Sequence, residues 1–227
     1  MHQNLGLERR GDVFILTLQK PPENRLTSQF CQEIIRALND VRRTLGPDAP
    51  GAVIIRGNDA KFFCRASSEG SYPLVATLLH FPFPTICLIT GHTFGGASVM
   101  TLAHDYRIMN DTLGYWCTPV AELGLHFDGM GALLRAKLPQ KIARKVILQG
   151  HKFTSSEALA DGIVDEIASP EEMLNCALQL ANRAKSKAKI GVYGLLKGEL
   201  YGEALRAFQQ ISYVHSRLNS RQAKVKL

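Results

Sequence analysis

The apolar positions follow two kinds of pattern, unbroken short runs in the first half of the chain and helix-spaced sets in the second. Val13-Phe-Ile-Leu-Thr-Leu18 is an apolar, β-branched run that stops at Pro21-Pro22, which predicts a strand closed by a turn. From Ser28 to Leu45 the residues Phe30, Ile34, Leu38, Val41 and Leu45 fall four, four, three and four apart, the period of one helix face. Gly46-Pro47 ends that helix, and Ala52-Val-Ile-Ile-Arg56 follows as a run of the kind buried on both sides of a sheet. Thr85-Ile-Cys-Leu-Ile-Thr90 is another such run. It leads through Gly91 to Gly95-Gly96, which opens a helix of small apolar residues from Ala97 to Ala103. Asp105-Tyr-Arg-Ile-Met109 and Gly114-Tyr-Trp-Cys117 predict further strands.

After these the pattern turns helical. Thr154-x-x-Glu157 and Ser169-Pro-x-Glu172 have the form of capping boxes, the second with Pro170 at the first helical position. Val192 to Leu218 predicts two helical stretches interrupted near Gly202. Strands first and helices last make an α/β protein: a core over residues 1–168 and a helical region over 169–227 of the same domain. A length of 227 residues does not require a second one. Arg65 to Ser71, small and polar, is the least structured stretch.

Composition narrows the class. The chain is 45% apolar and 21% charged, and no apolar run approaches the roughly 18 residues that span a bilayer. The N-terminus has neither the apolar core of a secretory signal nor the Arg/Ser-rich look of a transit peptide. Cys31, Cys64, Cys87, Cys117 and Cys176 are odd in number, lack a C-x-x-C pair and have no His partners, so they are expected as reduced thiols with no metal set. The net charge of +7 suits either a solvated basic surface or a polyanionic small ligand. The basic residues are dispersed, apart from a tail from Arg217 to Lys226, and no aromatic residues interleave with them, which argues against a nucleic-acid groove.

The feature with most chemistry is the glycine pair. A helix that starts right after it leaves its first N–H groups unpaired at the positive end of the helix dipole, and glycine lets a ligand approach the backbone closely. A tight turn packed against the sheet is the alternative reading of the same residues.

Four segments together resemble the enoyl-CoA hydratase/isomerase (crotonase) family: Lys61-Phe-Phe-Cys-Arg-Ala-Ser67, Pro84-Thr-Ile-Cys-Leu-Ile-Thr-Gly-His-Thr-Phe-Gly-Gly-Ala97, Ala103-His-Asp-Tyr-Arg-Ile108 and Ala158-Leu-Ala-Asp-Gly-Ile-Val-Asp165. The resemblance covers most of residues 10 to 185 and is closest in look to enoyl-CoA delta isomerase-like members. It implies a ClpP-like superhelix of ββα units with a C-terminal helical region that assembles a homotrimer or a dimer of trimers. It also implies an acyl-CoA substrate, with coenzyme A as part of that substrate and no separate cofactor, and an oxyanion hole of two backbone N–H groups that stabilises an enolate.

Carried over by position, the two donors fall on Ser67 and Gly96, flanked by Ala66 and Gly95. The family usually has glycine where Ala66 stands, and its segment here is shorter. A hydratase-like member carries glutamates at the places of Val99 and Val120, so two-carboxylate water addition is not expected. Asp128 matches the place of a catalytic Asp in dienoyl-CoA isomerases, with Glu122 as a second candidate base and His126 as a substrate contact. The bland readings are a helix cap for Asp128, a surface ion pair for Glu122 and a packed loop residue for His126. Arg25 lies on the loop that resembles the coenzyme A border, either against a phosphate or in solvent.

The expected function is a double-bond shift in an enoyl-CoA. A non-catalytic acyl-CoA-binding relative and an RNA-binding relative are the alternatives. Val225-Lys226-Leu227 is similar to a peroxisomal S-K-L address, which favours the peroxisome over the cytosol.

Overall fold

The computed structural model describes residues 2–58, 61–65, 71–125 and 129–225. β1 (Leu5–Arg10) and β2 (Val13–Leu18) form an antiparallel hairpin, and α1 (Ser28–Leu45) carries the chain to β3 (Ala52–Gly57), parallel to β2. From there one unit recurs: a strand of this main sheet, a short strand in a second sheet, then a helix. β3, β4 (Phe62–Arg65) and α2 (Tyr72–Leu79) are the first such unit, and β5 (Thr85–Ile89), β6 (His92–Phe94) and α3 (Gly96–Ala103) the second. β7 (Tyr106–Asn110), β8 (Trp116–Cys117) and α4 (Met130–Lys137) make the third. α5 (Gln140–Ile147), α6 (Ser155–Ala160), β9 (Glu166–Ala168), α7 (Met173–Ala184) and α8 (Tyr193–Val225) complete the fold. The main sheet runs β1-β2-β3-β5-β7-β9, the second β4-β6-β8, and every pairing except β1 with β2 is parallel. This is the expected spiral of ββα units.

The unbroken apolar runs are explained by burial on both sides of the main sheet. Val13, Ile15, Ala52, Ile54, Ile86 and Leu88 pack against Met173, Ala177 and Ala181 of α7. Their neighbours Phe14, Leu16, Val53, Ile55, Cys87 and Ile89 point into the larger core with α1, α2 and α3. α1 begins where its spacing predicts, capped by the Thr27 side chain on the Phe30 N–H. The Thr154–Glu157 capping box is present in full at α6. All five cysteines are free thiols, four of them buried.

Two helix boundaries differ from expectation. Pro170 does not start α7, because the Ser169 carbonyl accepts both Glu172 N and Met173 N at 3.0 Å, closing a turn before the helix begins at Met173. α8 runs as one helix through Gly202. A mid-helix glycine costs only about 1 kcal/mol, and Ala204 and Phe208 bury the face beside it against the core.

A buried polar cluster ties α8 to this spiral. Lys197 Nζ lies 3.0 Å from Asp105 Oδ1 and donates to the Leu78 carbonyl at the end of α2, while Asp105 Oδ2 accepts from Thr85 N and Oγ1. Lys137 donates to the His104 carbonyl, and its ammonium stands 3.8 Å from the centre of the Tyr201 ring; burial lowers its pKa to about 7. Arg107 bonds the carbonyls of His104 and Ile163 and pairs with Asp165.

Within this cluster His104 is fully buried, with Nδ1 at 2.9 Å from the Met100 carbonyl, and burial lowers its pKa from 6.5 to about 3. The unfolded chain therefore takes up a proton between those values that the folded chain refuses. Stability is complete above pH 6.5 and declines as pH falls towards 3. At pH 5 the loss from this group is about 2 kcal/mol. Urea melts at pH 7 and pH 5 measure it, and His104→Gln is expected to reduce the difference between the two pH values by about that amount.

Candidate active site

β5 passes through Thr90 and Gly91 into β6, and the chain turns at Gly95, whose φ of 67° and ψ of −129° suit glycine alone. The Gly95 N–H bonds the Cys117 carbonyl at 3.0 Å, extending the β6–β8 pairing by one residue. The buried Ser98 hydroxyl lies 2.7 Å from the same carbonyl oxygen and 3.1 Å from that of Thr93, and the Trp116 indole N–H donates to Thr101 at 2.9 Å. These bonds fix α3 against the second sheet. Sequence reading missed Ser98 and Thr101, whose only signal was being small and polar in an apolar helix.

Gly96 is the first residue of α3, so its N–H has no acceptor within the helix and lies at the positive end of its dipole. All eight residues of α3 are buried, which keeps water from screening that donor. β4 lies parallel to β6 with Arg65 opposite Phe94, so the chain leaves β4 alongside the glycine corner. Ala66 and Ser67 follow directly but lie outside the described residues, as do His126 and Asp128.

Val99 and Val120 are buried in the main core, 7% and 4% exposed, so no carboxylate stands at the two hydratase places. Glu122 is exposed, and its Oε1 rests 3.3 Å from where a side chain on Gly150 would begin. Gly150 belongs to the segment that pairs with β8 through Phe153 and Trp116, whereas β6 pairs with β8 through Thr93 and Phe94. The Glu122 carboxylate thus lies beside Gly150 and close enough to Cys117, whose thiol donates to the Gly150 carbonyl at 3.2 Å, to add to the rise that burial gives the pKa of that thiol. Arg25 is exposed and pairs with Glu23 at 3.2 Å. α4 is capped by Gly129 itself, with φ 78°, so the cap expected at Asp128 falls one residue later. Among the described residues no group of three His, Cys, Asp or Glu is placed to hold a metal.

Beside Val120 a groove of about 560 Å³ is lined by Leu125, Met130, Ala132, Ile147 and Ala207. The corner offers a fixed hydrogen-bond donor, which suits polarisation of a carbonyl, and the mostly apolar groove opens at Val120, three residues past the Cys117 that holds Gly95.

The family model described as enoyl-CoA hydratase/isomerase matches residues 8–223. The chain belongs to the enoyl-CoA hydratase/isomerase family. Like other members of that family it is an acyl-CoA-processing enzyme. It is 30% identical to enoyl-CoA delta isomerase 2, peroxisomal, of Arabidopsis thaliana, over 87% of this chain and 92% of that one. It is 27% identical to the probable enoyl-CoA hydratase EchA17 of Mycobacterium tuberculosis, over 87% of this chain and 84% of that one. Among solved structures, the probable enoyl-CoA hydratase EchA3 of Mycobacterium tuberculosis superposes with a TM-score of 0.86 at 18% identity, over 99% of this chain and 100% of that one, and shares the fold.

Proposed function

We propose that the chain is an enoyl-CoA isomerase. The observation that carries this reading is a helix-start donor at Gly96 with no acceptor inside its helix, together with valines at both places where a hydratase needs carboxylates. In this mechanism a base takes a proton from the carbon next to the thioester, and the electron pair moves onto the thioester oxygen. Gly96 N–H and Ser67 N–H stabilise that enolate. The enolate then collapses, the double bond re-forms next to the thioester carbonyl, and the same base returns the proton to the far carbon of the original double bond. Asp128 is the base in this reading, on the strength of its place four residues after Gly124, with Glu122 as the other candidate. A single carboxylate is enough, since no water is added.

Purified protein given 3-enoyl-CoA and dienoyl-CoA thioesters is expected to conjugate at least one, read as a change in ultraviolet absorbance. Tight thioester binding with no absorbance change would sink the isomerase reading and leave a binding protein.

A second part of the proposal is self-assembly. Ile190, Leu195, Leu196 and Leu200 are 58–78% exposed at the start of α8 and just before it, a contiguous apolar face that further copies of the chain would cover. Light scattering is expected to give the mass of a trimer or of its dimer, and Leu195→Glu with Leu196→Glu to give monomer. The delta isomerase relative named peroxisomal supports a peroxisomal location, tested by co-localising a fluorescent fusion with a peroxisomal marker.

A further inference from the structure

The groove beside Val120 does not end at α4. It shares Gly131, Arg135, Ile147 and Leu148 with a second groove of about 530 Å³ that continues along α5. Lining chemistry changes along this path. Near Val120 the walls are Leu125, Met130 and Ala132, and in the shared stretch they are Ile147 and Leu148, the latter 68% exposed. Further on, the lining adds Gln140, Lys141 and Arg144, all on the first turns of α5.

Basic residues in this trough, Arg135, Lys141 and Arg144, outnumber its one acid, Glu203. Arg135 is paired with Glu203 across the α4–α8 gap at 2.7 Å. Lys141 and Arg144 have no acidic partner among the described residues, and no acid lines the second groove. A mostly apolar trough that starts at Val120, three residues past the Cys117 whose carbonyl accepts the Gly95 N–H, and finishes at two cations with no acidic partner among the described residues complements a molecule with a hydrocarbon middle and an anionic far end.

We propose that the preferred acyl group ends in a carboxylate, so that the substrate class is the monothioester of an unsaturated dicarboxylic acid, with Arg144 and Lys141 receiving the distal carboxylate. This rests on the acyl-CoA reading of the Gly96 corner. An arginine presents paired donors that match a carboxylate, and a lysine beside it adds a point charge.

The test uses saturated thioesters, so it does not depend on turnover. Isothermal titration calorimetry with sebacoyl-CoA, the monothioester, and with decanoyl-CoA is expected to show about tenfold tighter binding of the first, a preference that shrinks at high salt. In the Lys141→Gln, Arg144→Gln double variant the ratio falls to near one while decanoyl-CoA affinity holds. Both residues are exposed, so the fold is expected to survive. Equal binding of the two thioesters by the unmodified protein overturns the proposal. Equal weakening of both in the double variant also overturns it, because the cations would then be holding the phosphates of coenzyme A. Failure to bind decanoyl-CoA at all is a different result, since it removes the acyl-CoA reading itself.

Discussion

Replacing Asp128 with Asn is expected to slow the double-bond shift by at least about a hundredfold, while Glu122→Gln changes it by no more than about threefold, because a general base contributes roughly 10²–10⁴ in rate. The two variants separate the candidates cleanly. Both keep side-chain size, and Glu122 is exposed on the segment next to Gly150, so neither is expected to disturb folding. Under the proposed assignment the loss for Asp128→Asn falls on kcat with thioester affinity retained, since its carboxylate would move a proton and not hold the coenzyme. A large effect at Glu122 with none at Asp128 would reverse the assignment. Solvent isotope exchange at the carbon next to the thioester provides a second readout: it disappears with the base and persists without Glu122.

The second large effect concerns a backbone group, which ordinary side-chain substitution cannot remove. Gly96→Pro deletes the N–H proposed to hold the oxyanion, and it does so at the first position of α3, where proline fits a helix and no intrahelical bond is lost. Removing one such donor costs about 10²–10³ in kcat. The site is buried, so crowding by the ring needs its own control. Gly96→Ala adds a Cβ and keeps the donor. Its loss is expected to stay at least tenfold smaller than that of the proline variant. Similar losses in both would mean that space, not the N–H, is what Gly96 supplies.

The elements legible in the sequence are those whose environment is uniform along their length. β2, β3 and β5 are buried on both faces and so appear as unbroken apolar runs, and α1 shows its one buried stripe. β1 escaped notice because only Leu5 is buried and the rest of this edge strand is exposed or half-exposed. α2 was missed because it is short and apolar nearly throughout, packed between α1, α3 and α8, and shows no polar face to set a period. At the site, the glycine corner was readable because its conformation demands glycine. Glu122 was legible as a candidate, but its surroundings were not, because its place beside Gly150 depends on that segment returning to β8, a pairing that no local pattern announces. The apolar lining of the trough was likewise invisible, since Val120, Met130, Ile147 and Ala207 come from four separate segments.

The bond from Lys197 to the Leu78 carbonyl spans 119 residues, and the ring of Phe208 meets that of Tyr72, 5.8 Å between centres, across a longer stretch still. A ribosome adding about 5–20 residues per second needs roughly 6–24 s to make the intervening chain. For that interval the nascent protein carries an α2 that has α1 and α3 beside it but lacks the cover of α8. The growing chain is therefore most exposed to misassembly and to chaperone capture during the synthesis of its second half, and α8 closes that window when it emerges.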